Sequence, residues 1–262
     1  MLTRLLRPVY HAAYRAALPL RYALCDFRAR SRDGVIPPAA LRFRVCEDLS
    51  ITRFLNVGER CAQIVDEAIA ARGRGINEPR RVLDFGCGCG RTMRWFLARD
   101  EQSDCYGVDV DRPAIAWCAS HLQPGTFSVN DPDPPLAFAD CFFDVVYCFS
   151  VFTHLDQRMQ DAWLAELGRV LRPGGLLLLS VHGAAAAAGL GPAMEAEVAR
   201  DGFVHKRSRK LRGILPEWYH TTLHSPDYIA KRLFGAGFED VRYQVIADGI
   251  QDVVTAIAGP RP

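Results

Sequence analysis

A run of eleven residues restricts most strongly what this chain can fold into. Residues 81–91 read RVLDFGCGCGR, a short apolar stretch that leads directly into glycines at 86, 88 and 90. Glycine has no Cβ, so a chain with this spacing can turn tightly and bring its backbone against a ligand. A helical pattern follows at 90–99, and the first turn of a helix offers unpaired N–H groups. The sequence therefore predicts a strand, a ligand-binding loop and a helix, in that order.

The glycine spacing separates two kinds of nucleotide site. Dinucleotide-binding loops have the pattern G-x-G-x-x-G and hold a pyrophosphate at the helix N-terminus. This chain has G-x-G-x-G, with Asp84 two residues before the first glycine. A carboxylate there would repel a diphosphate and attract a cationic ligand. The pattern therefore argues against an NAD-dependent enzyme and favours a ligand that carries positive charge.

Beyond residue 80, short apolar runs alternate with helical patterns, which is typical of a parallel sheet covered by helices. The predicted strands are 81–85, 105–110, 126–129, 144–149 and 176–181. The predicted helices are 90–99, 113–121, 156–171 and Pro226 to Phe234. Two further strands, 239–247 and 251–258, are expected to pair as a hairpin across the Asp248-Gly249 turn signal. The predicted fold is α/β: a seven-stranded, mostly parallel sheet with helices on both faces and a C-terminal antiparallel hairpin.

Two segments lie outside this alternation. Residues 1–78 are predicted to form a helical N-terminal extension or cap, and residues 79–262 the main domain. Within the extension, Gly58 separates apolar positions between 51 and 72, which indicates two helical stretches. The second segment, 182–224, follows the fifth strand and is predicted to be a lid.

The first 34 residues contain seven arginines and only two acids, interleaved with apolar side chains. One interpretation is a basic amphipathic arm at an anionic lipid surface. The other is a helical cap packed on the domain, with solvated arginines, and amphipathicity alone leaves both open. Arginines and prolines interrupt any secretory signal, and no apolar run is long enough to span a bilayer. The expected location is cytoplasmic, with peripheral contact at the inner face of the membrane as the arm's alternative.

The net charge and the cysteines of the chain bear on whether it binds nucleic acid or a metal ion. A formal net charge of +2 is too small to indicate nucleic acid, which needs a concentrated basic face. The nine cysteines are an odd set, and several lie in apolar runs, which is typical of buried, reduced thiols. Cys87 and Cys89 form a C-x-C without a second Cys/His pair, so no metal site is predicted.

Residues 82–90, VLDFGCGCG, resemble the first motif of the class I S-adenosylmethionine-dependent methyltransferases. Further segments are similar to that family in the same order: YGVDVD at 106–111, Asn130-Asp131, FFDVVYCFS at 142–150 and LRPGG at 171–175. The resemblance implies a Rossmann-like fold and S-adenosylmethionine as cofactor. It also implies that Asp109 binds the ribose hydroxyls and that Asp131 is available to the adenine amino group.

The cofactor-binding residues that the resemblance implies are Asp84, Gly86, Cys87, Gly88, Gly90, Asp109, Val110, Asn130, Asp131 and Phe149. Each acid also has a plainer interpretation as a helix cap or a loop acid in water. Asn130-Asp131-Pro132 is also an ordinary turn signal.

A catalytic base is harder to predict. His154 follows the fourth strand, where open α/β sheets bind their ligands, and imidazole titrates near neutral pH. The alternatives are that His154 caps the following helix, or that methyl transfer needs alignment and no base.

The lid supplies the candidate acceptor residues, Tyr219, His220 and His224, which either line a pocket or form the apolar base of the lid. A basic run at 206–212 either recognises phosphate or carboxylate or is simply solvated.

The predicted function is methyl transfer from S-adenosylmethionine to a small-molecule or glycan-like acceptor, at oxygen. The lid and C-terminal end are loosely similar to bacterial methyltransferases of glycan and secondary-metabolite pathways. The alternative is a protein of the same fold that binds S-adenosylmethionine without methyltransferase activity.

Overall fold

The computed structural model describes residues 14, 16–27, 35–73, 80–99, 102–206, 220–246 and 251–260. Its helices are α1 (16–27), α2 (Ala39–Cys46), α3 (Ile51–Ala70), α4 (Met93–Leu97), α5 (Arg112–His121), α6 (Gln157–Val170), α7 (Ala184–Leu190), α8 (Pro192–Asp201) and α9 (Pro226–Gly235). Its strands are β1 (Arg81–Phe85), β2 (Asp104–Asp109), β3 (Thr126–Val129), β4 (Phe143–Cys148), β5 (Leu171–Val181), β6 (Phe203–Lys206), β7 (Thr221–His224), β8 (Phe238–Gln244) and β9 (Asp252–Ala258).

Seven strands form one sheet in the order β3-β2-β1-β4-β5-β9-β8. The strands β1 to β5 are parallel to one another, and β9 runs antiparallel to both β5 and β8. This confirms the predicted mostly parallel sheet and C-terminal antiparallel pair. The order reverses between β1 and β4, and the carboxyl ends of the strands at such a point flank a crevice that binds ligands.

Alternate residues of β1 face two separate cores, because successive side chains of a strand point to opposite faces. Leu83 and Phe85 pack in a cluster with buried residues of α6 and α9. Val82 packs in a second cluster with buried residues of α3 and α4. Helices therefore cover both faces of the sheet, as predicted.

The prediction of two helical stretches between 51 and 72 is wrong, because α3 is one unbroken helix of 20 residues. Ser50 caps it by accepting a hydrogen bond from the Arg53 amide. Gly58 lies inside the helix and does not end it. A Cβ at this position would lie 2.1 Å from the carbonyl oxygen of Arg91, so glycine allows α3 to approach the chain that follows the glycine loop. The domain boundary at residue 78 stays a prediction.

Several element boundaries differ from the sequence prediction. The strand β5 begins at Leu171, directly after α6 ends at Val170, although the prediction began it at 176. Its pairing with β4 shifts between Phe143 and Val145, which marks a bulge at the Pro-Gly-Gly stretch. The helix α4 is also shorter than the predicted 90–99. The predicted Asp248-Gly249 turn lies outside the described residues.

The segment after β5 contains α7, α8 and a small antiparallel sheet of β6 and β7. Residues 207–219 lie outside the described part of the chain, and with them most of the basic run and Tyr219. Lys206, which is described, forms an ion pair with Glu197 of α8 at 2.7 Å. None of the described helices combines the length and the apolar character that a bilayer crossing requires.

Candidate functional site

The glycine loop between β1 and α4 has the backbone conformation that its sequence predicts. Gly86, Gly88 and Gly90 have φ angles of 80°, 52° and 71°, a region that residues with a Cβ rarely adopt. The amides of Gly86 and Cys87 both donate hydrogen bonds to the carbonyl oxygen of Val108, at 2.8 and 3.0 Å. The loop is thereby folded back against the end of β2.

Asp109, the last residue of β2, is fixed by this loop. One carboxylate oxygen accepts a hydrogen bond from the Gly88 amide at 2.7 Å, and the other accepts one from the Asp111 amide at 2.8 Å. Burial raises the pKa of Asp109, while hydrogen bonds from the Asp111, Gly88 and Val110 amides act in the opposite direction. A carboxylate has about four acceptor positions, so Asp109 keeps acceptor capacity for a hydroxyl group of a ligand.

Asp84 has a different environment beneath the loop. The side chain is buried, and hydrogen bonds link it to the Tyr147 hydroxyl and the Met93 backbone. Burial raises the pKa of Asp84 to about 7, with Tyr147 and the charge of Arg91 opposing the shift. The partners of Asp84 in this structure are protein groups, and direct contact with a cofactor stays a prediction.

The predicted adenine-side residues follow β3. The Asn130 amide donates a hydrogen bond to the Asp109 carbonyl oxygen at 3.2 Å, which brings the ends of β2 and β3 together. The side-chain amide of Asn130 donates to the Asp131 carbonyl oxygen, and Asp131 itself is exposed. The Asn130 Oδ1 atom is buried and has no hydrogen-bond partner among the described residues. A buried acceptor of this kind suits an exocyclic amino group.

Phe149 lies directly after β4 and is half-buried, with its ring centroid 5.9 Å from that of Tyr147. The next residue, Ser150, has a φ of 63°, which is unusual outside glycine. Its amide donates to the Ser180 hydroxyl, and Gln251 bonds to the hydroxyls of both serines. This group ties together the ends of β4 and β5 and the start of β9.

The helix α2 covers one side of the glycine loop, a contact that the sequence did not predict. A Cβ on Gly88 would lie 2.7 Å from a methyl group of Val45, so the two segments are in direct contact. Arg91 donates a hydrogen bond to the Val45 carbonyl oxygen, and Arg44 pairs with Asp111 at 3.1 Å. No local pattern could have revealed this contact, because it joins segments more than forty residues apart.

The loop and its acids together fit S-adenosylmethionine. A carboxylate at the end of β2 can accept a ribose hydroxyl, and the buried Asn130 Oδ1 can accept the adenine amino group. A sequence profile of a family described as a methyltransferase domain matches residues 53–243 of the chain. The chain belongs to this family. S-adenosylmethionine is the cofactor of such domains, and the glycine loop is where the methyltransferase domain would hold it.

Curated relatives are similar in sequence to part of the chain. It is 28% identical to a malonyl-[acyl-carrier protein] O-methyltransferase of Methylococcus capsulatus, over 58% of this chain and 59% of the relative. It is 38% identical to a fatty-acid O-methyltransferase of Mycolicibacterium smegmatis, over 38% of this chain and 36% of the relative. The chain spans 36–59% of the length of the curated relatives it matches.

Solved structures show the same fold. Magnesium protoporphyrin IX methyltransferase of Synechocystis, solved with bound S-adenosylhomocysteine, has a TM-score of 0.54 and 19% sequence identity. The likeness covers 88% of this chain and 92% of that one. At this identity the comparison establishes the class I methyltransferase fold.

The predicted acceptor-side residues lie in different environments. The Nδ1 atom of His154 is 2.6 Å from the His220 carbonyl oxygen, and burial lowers the pKa of His154 to about 3. The capping alternative for His154 is wrong, because Asp156 caps α6 by accepting from the Met159 amide. Tyr219 lies outside the described residues.

His224 is fully buried in β7, and its Nε2 atom is 2.9 Å from the side-chain amide of Gln160. Burial lowers the pKa of His224 to about 3. Its surroundings favour the interpretation in which His224 belongs to the packed base of the lid. In contrast, His220, at the start of this stretch, presents its carbonyl oxygen to His154.

His182 was not among the predicted site residues, although it directly follows β5 at the carboxyl edge of the sheet. The signal that selected His154, a histidine just beyond a parallel strand, also applied to His182. Among the described residues, no group of three or more His, Cys, Asp or Glu side chains is arranged to hold a metal ion.

Proposed function

We propose that this chain transfers a methyl group from S-adenosylmethionine to an oxygen of a small-molecule acceptor. The observation that carries the proposal is Asp109, whose carboxylate is held on the glycine loop by the Gly88 amide. The names of two relatives, an acyl-carrier-protein O-methyltransferase and a fatty-acid O-methyltransferase, support an oxygen acceptor. They also favour an acyl-type small molecule over the glycan-like acceptor that the sequence suggested.

Different parts of the site would bind the cofactor and position the acceptor. The cofactor supplies a methyl group bound to a positively charged sulfur, which is already electrophilic. Asp109 and Asn130 would bind the nucleoside half of the cofactor. Because its glycines have no Cβ atoms, the backbone of the glycine loop would lie close against the cofactor. The ends of β4 and β5 would hold the acceptor oxygen in line with the methyl carbon, and alignment of this kind can supply much of the rate.

Cofactor binding can be tested with one substitution and a matched control. We expect Asp109→Asn to weaken binding of S-adenosylhomocysteine at least about tenfold, because a hydrogen bond to a charged group contributes roughly 1.5–3 kcal/mol. Isothermal titration calorimetry measures the change. The control is Asp104→Asn, the same change at the exposed start of β2, which should leave the affinity unchanged.

Turnover needs a separate assay. S-adenosylhomocysteine release is measured with fatty acids, acyl thioesters and phenols as acceptors. If the wild-type protein does not bind S-adenosylhomocysteine, the proposal is wrong. If it binds the compound but releases none with any acceptor, the protein is a cofactor-binding protein without methyltransferase activity.

Peripheral membrane contact belongs to the same proposal. One face of α1 packs on the molecule: Leu18 is buried, and Asp26 accepts a hydrogen bond from the Ala39 amide. Leu20, Leu24 and Phe27 are 67%, 50% and 73% exposed. Their spacing of four and three residues places them on one side of the helix. This arrangement supports a cap that is packed on one side and offers apolar side chains to a lipid surface on the other.

A further inference from the structure

Three polar side chains from three strand ends form one hydrogen-bonded group at the carboxyl edge of the parallel strands. Ser150 follows β4, Ser180 lies near the end of β5, and Gln251 directly precedes β9. The strand β9 is antiparallel to β5, with Asp252 opposite Val181, so the start of β9 lies at this same edge. We call Ser150, Ser180 and Gln251 the serine–glutamine group.

The serine–glutamine group lies beside the glycine loop. Val151 follows Ser150, and a Cβ on Gly86 would lie 2.3 Å from a methyl group of Val151. This contact places the chain that leaves β4 directly against the first glycine of the loop. The sheet order is β1-β4-β5-β9, so the loop after β1 and the serine–glutamine group border the same crevice, where the strand order reverses.

The hydrogen bonds of the group determine how the Gln251 amide is oriented. Ser180 is buried, and its hydroxyl oxygen accepts a hydrogen bond from the Ser150 amide at 2.8 Å. The Ser180 hydroxyl donates its own proton to the Gln251 Oε1 atom at 2.6 Å. If the amide were turned round, this buried proton would lose its acceptor. The Gln251 Nε2 atom therefore faces Ser150 and donates to its hydroxyl oxygen at 2.8 Å.

This orientation leaves hydrogen-bond donors for a ligand. The Gln251 Oε1 atom receives the hydroxyls of both serines, at 2.6 and 3.1 Å, which uses both of its lone pairs. The Nε2 atom has two N–H groups, and the bond to Ser150 uses one of them. Ser150 and Gln251 are half-buried. The second N–H group of Gln251 and the Ser150 hydroxyl, whose 3.1 Å bond is the longest in the group, can therefore donate to a ligand oxygen.

The backbone of Ser150 also indicates a functional role. Its φ angle of 63° is one that residues with a side chain rarely adopt, and such residues are concentrated at active sites and ligand-binding sites. Glycine would adopt this angle without strain but would have no hydroxyl group. The chain has serine here, at the one position of the loop after β4 that donates its amide to β5.

We infer that Ser150 and Gln251 bind one oxygen of a carboxylate acceptor while its other oxygen is methylated. The inference rests on the proposed function and narrows its substrate class to small molecules with a free carboxylate. The reacting oxygen forms its new bond to the methyl carbon, the bond from that carbon to sulfur breaks, and its electron pair stays on sulfur. No proton is transferred, because a carboxylate is already ionised at neutral pH.

The donors explain why the acceptor is a carboxylate. A carboxylate has two oxygens, so one can accept from Ser150 and Gln251 while the lone pairs of the other stay free to attack. An alcohol or a phenol has a single oxygen, and donors bound to it would occupy the lone pairs that must react. A hydrogen bond to a charged oxygen is also about twice as strong as one to a neutral oxygen.

The first test replaces the donor of Gln251 in the full-length protein and keeps its acceptors. In Gln251→Glu both serine hydroxyls still have an oxygen to donate to, but a negative charge faces the acceptor. We expect kcat/KM for octanoate to fall at least about tenfold, with an unchanged affinity for S-adenosylhomocysteine. Gln244→Glu is the matched control, because it makes the same change at the exposed end of β8, and it should keep the wild-type kcat/KM.

A second variant separates the hydroxyl of Ser150 from the stability of the fold. Ser150→Gly removes the hydroxyl and relieves the backbone strain, so we expect an unfolding midpoint in urea close to that of the wild type. We expect its kcat/KM for octanoate to fall about tenfold. A Ser150→Gly variant with the wild-type kcat/KM would show that Ser150 does not bind the acceptor.

The acceptor panel pairs compounds that differ in the reacting group: octanoate with 1-octanol, and 4-propylbenzoate with 4-propylphenol. We expect release of S-adenosylhomocysteine with the carboxylate member of a pair and none with the hydroxyl member. Release with a hydroxyl member that equals or exceeds the release with its carboxylate counterpart would overturn the inference. So would a Gln251→Glu variant with the wild-type kcat/KM.

A binding test does not depend on turnover. Octanoate and 4-propylbenzoate are titrated into the complex of the protein with S-adenosylhomocysteine, and isothermal titration calorimetry measures their affinity. We expect the wild-type complex to bind them and Gln251→Glu to bind them at least about tenfold more weakly. If the wild-type complex binds neither carboxylate, or if the variant binds them equally well, the inference is wrong. The proposed function fails separately, because its failure is the absence of S-adenosylhomocysteine binding by the wild-type protein.

Discussion

Asp84 and Asp109 lie near the ends of neighbouring parallel strands, yet their surroundings give them different properties. Asp109 accepts two backbone amides and retains acceptor positions that a ligand can use. Asp84 is buried beneath the loop, where its pKa is raised to about 7 by burial. The sequence identified both carboxylates, but it could not separate the one that accepts backbone amides at the end of β2 from the one that is buried beneath the loop.

The raised pKa of Asp84 makes the stability of the protein depend on pH. Between about pH 4 and pH 7 the folded state holds a proton that the unfolded chain releases, so stability falls as pH rises through this window and is constant above it. Asp84→Asn lacks this group. We expect its free energy of unfolding, relative to the wild type, to increase by roughly 2–4 kcal/mol from pH 4 to pH 8.

Chemical denaturation of both proteins at a series of pH values measures this difference. Asp104→Asn is again the matched control, since it shows what the same change does at an exposed position of the sheet. A difference between Asp84→Asn and the wild type that does not change with pH would contradict the assignment of this titration to Asp84.

At the scale of the elements, the sequence predicted the strands of the parallel sheet well, because buried strands are continuous apolar runs with turn signals between them. The strands β1 and β3 have the predicted bounds, and β2 and β4 differ by one residue. The errors occur where a tertiary contact overrides local preference. Gly58 indicated a break, but it lies inside α3, where the backbone of Arg91 occupies the space that a side chain at position 58 would fill.

This contact gives a prediction for α3. Alanine is a better helix former than glycine by about 1 kcal/mol, so Gly58→Ala would stabilise an isolated helix. In the protein its Cβ would collide with the Arg91 carbonyl oxygen, and overpacking of this kind costs about 1–3 kcal/mol or more. We expect Gly58→Ala to lower the free energy of unfolding by roughly 2 kcal/mol in urea denaturation.

Gly189→Ala is the matched control, because Gly189 lies in α7 and a Cβ added there would meet no heavy atom of the described residues within 4 Å. We expect this variant to be as stable as the wild type or slightly more stable. If the two variants behave alike, helix preference and not the contact with Arg91 decides the role of Gly58.

At the scale of the whole molecule, the N-terminal extension has two contacts that its sequence did not reveal. The helix α2 packs on the glycine loop through Val45. The helix α1 packs on α2, with the Tyr22 and Phe43 ring centroids 5.8 Å apart. The extension therefore contributes to the glycine-loop side of the candidate site.

The exposed apolar side chains of α1 predict that the protein binds to anionic membranes. We expect the intact protein to float with liposomes that contain anionic lipids, because apolar side chains and arginines together favour such a surface. A variant with serine at 20, 24 and 27 keeps the packed face of α1 and should float less. Sedimentation of the intact protein without the liposomes would contradict membrane contact, and the cap interpretation alone would then stand.

The sequence by itself determined the order along the chain of the strands of the seven-stranded sheet, the glycine loop and the acids at the ends of β1 and β2. These features are local: apolar periodicity, missing Cβ atoms and charges at fixed spacing act between residues close in the chain. Only the tertiary structure decided that α3 is unbroken, that α2 covers the loop, and that His154 and His182 bond to carbonyl oxygens of the same stretch, residues 220–222. Each of these depends on contacts between distant segments, and such contacts leave no periodic pattern in the sequence.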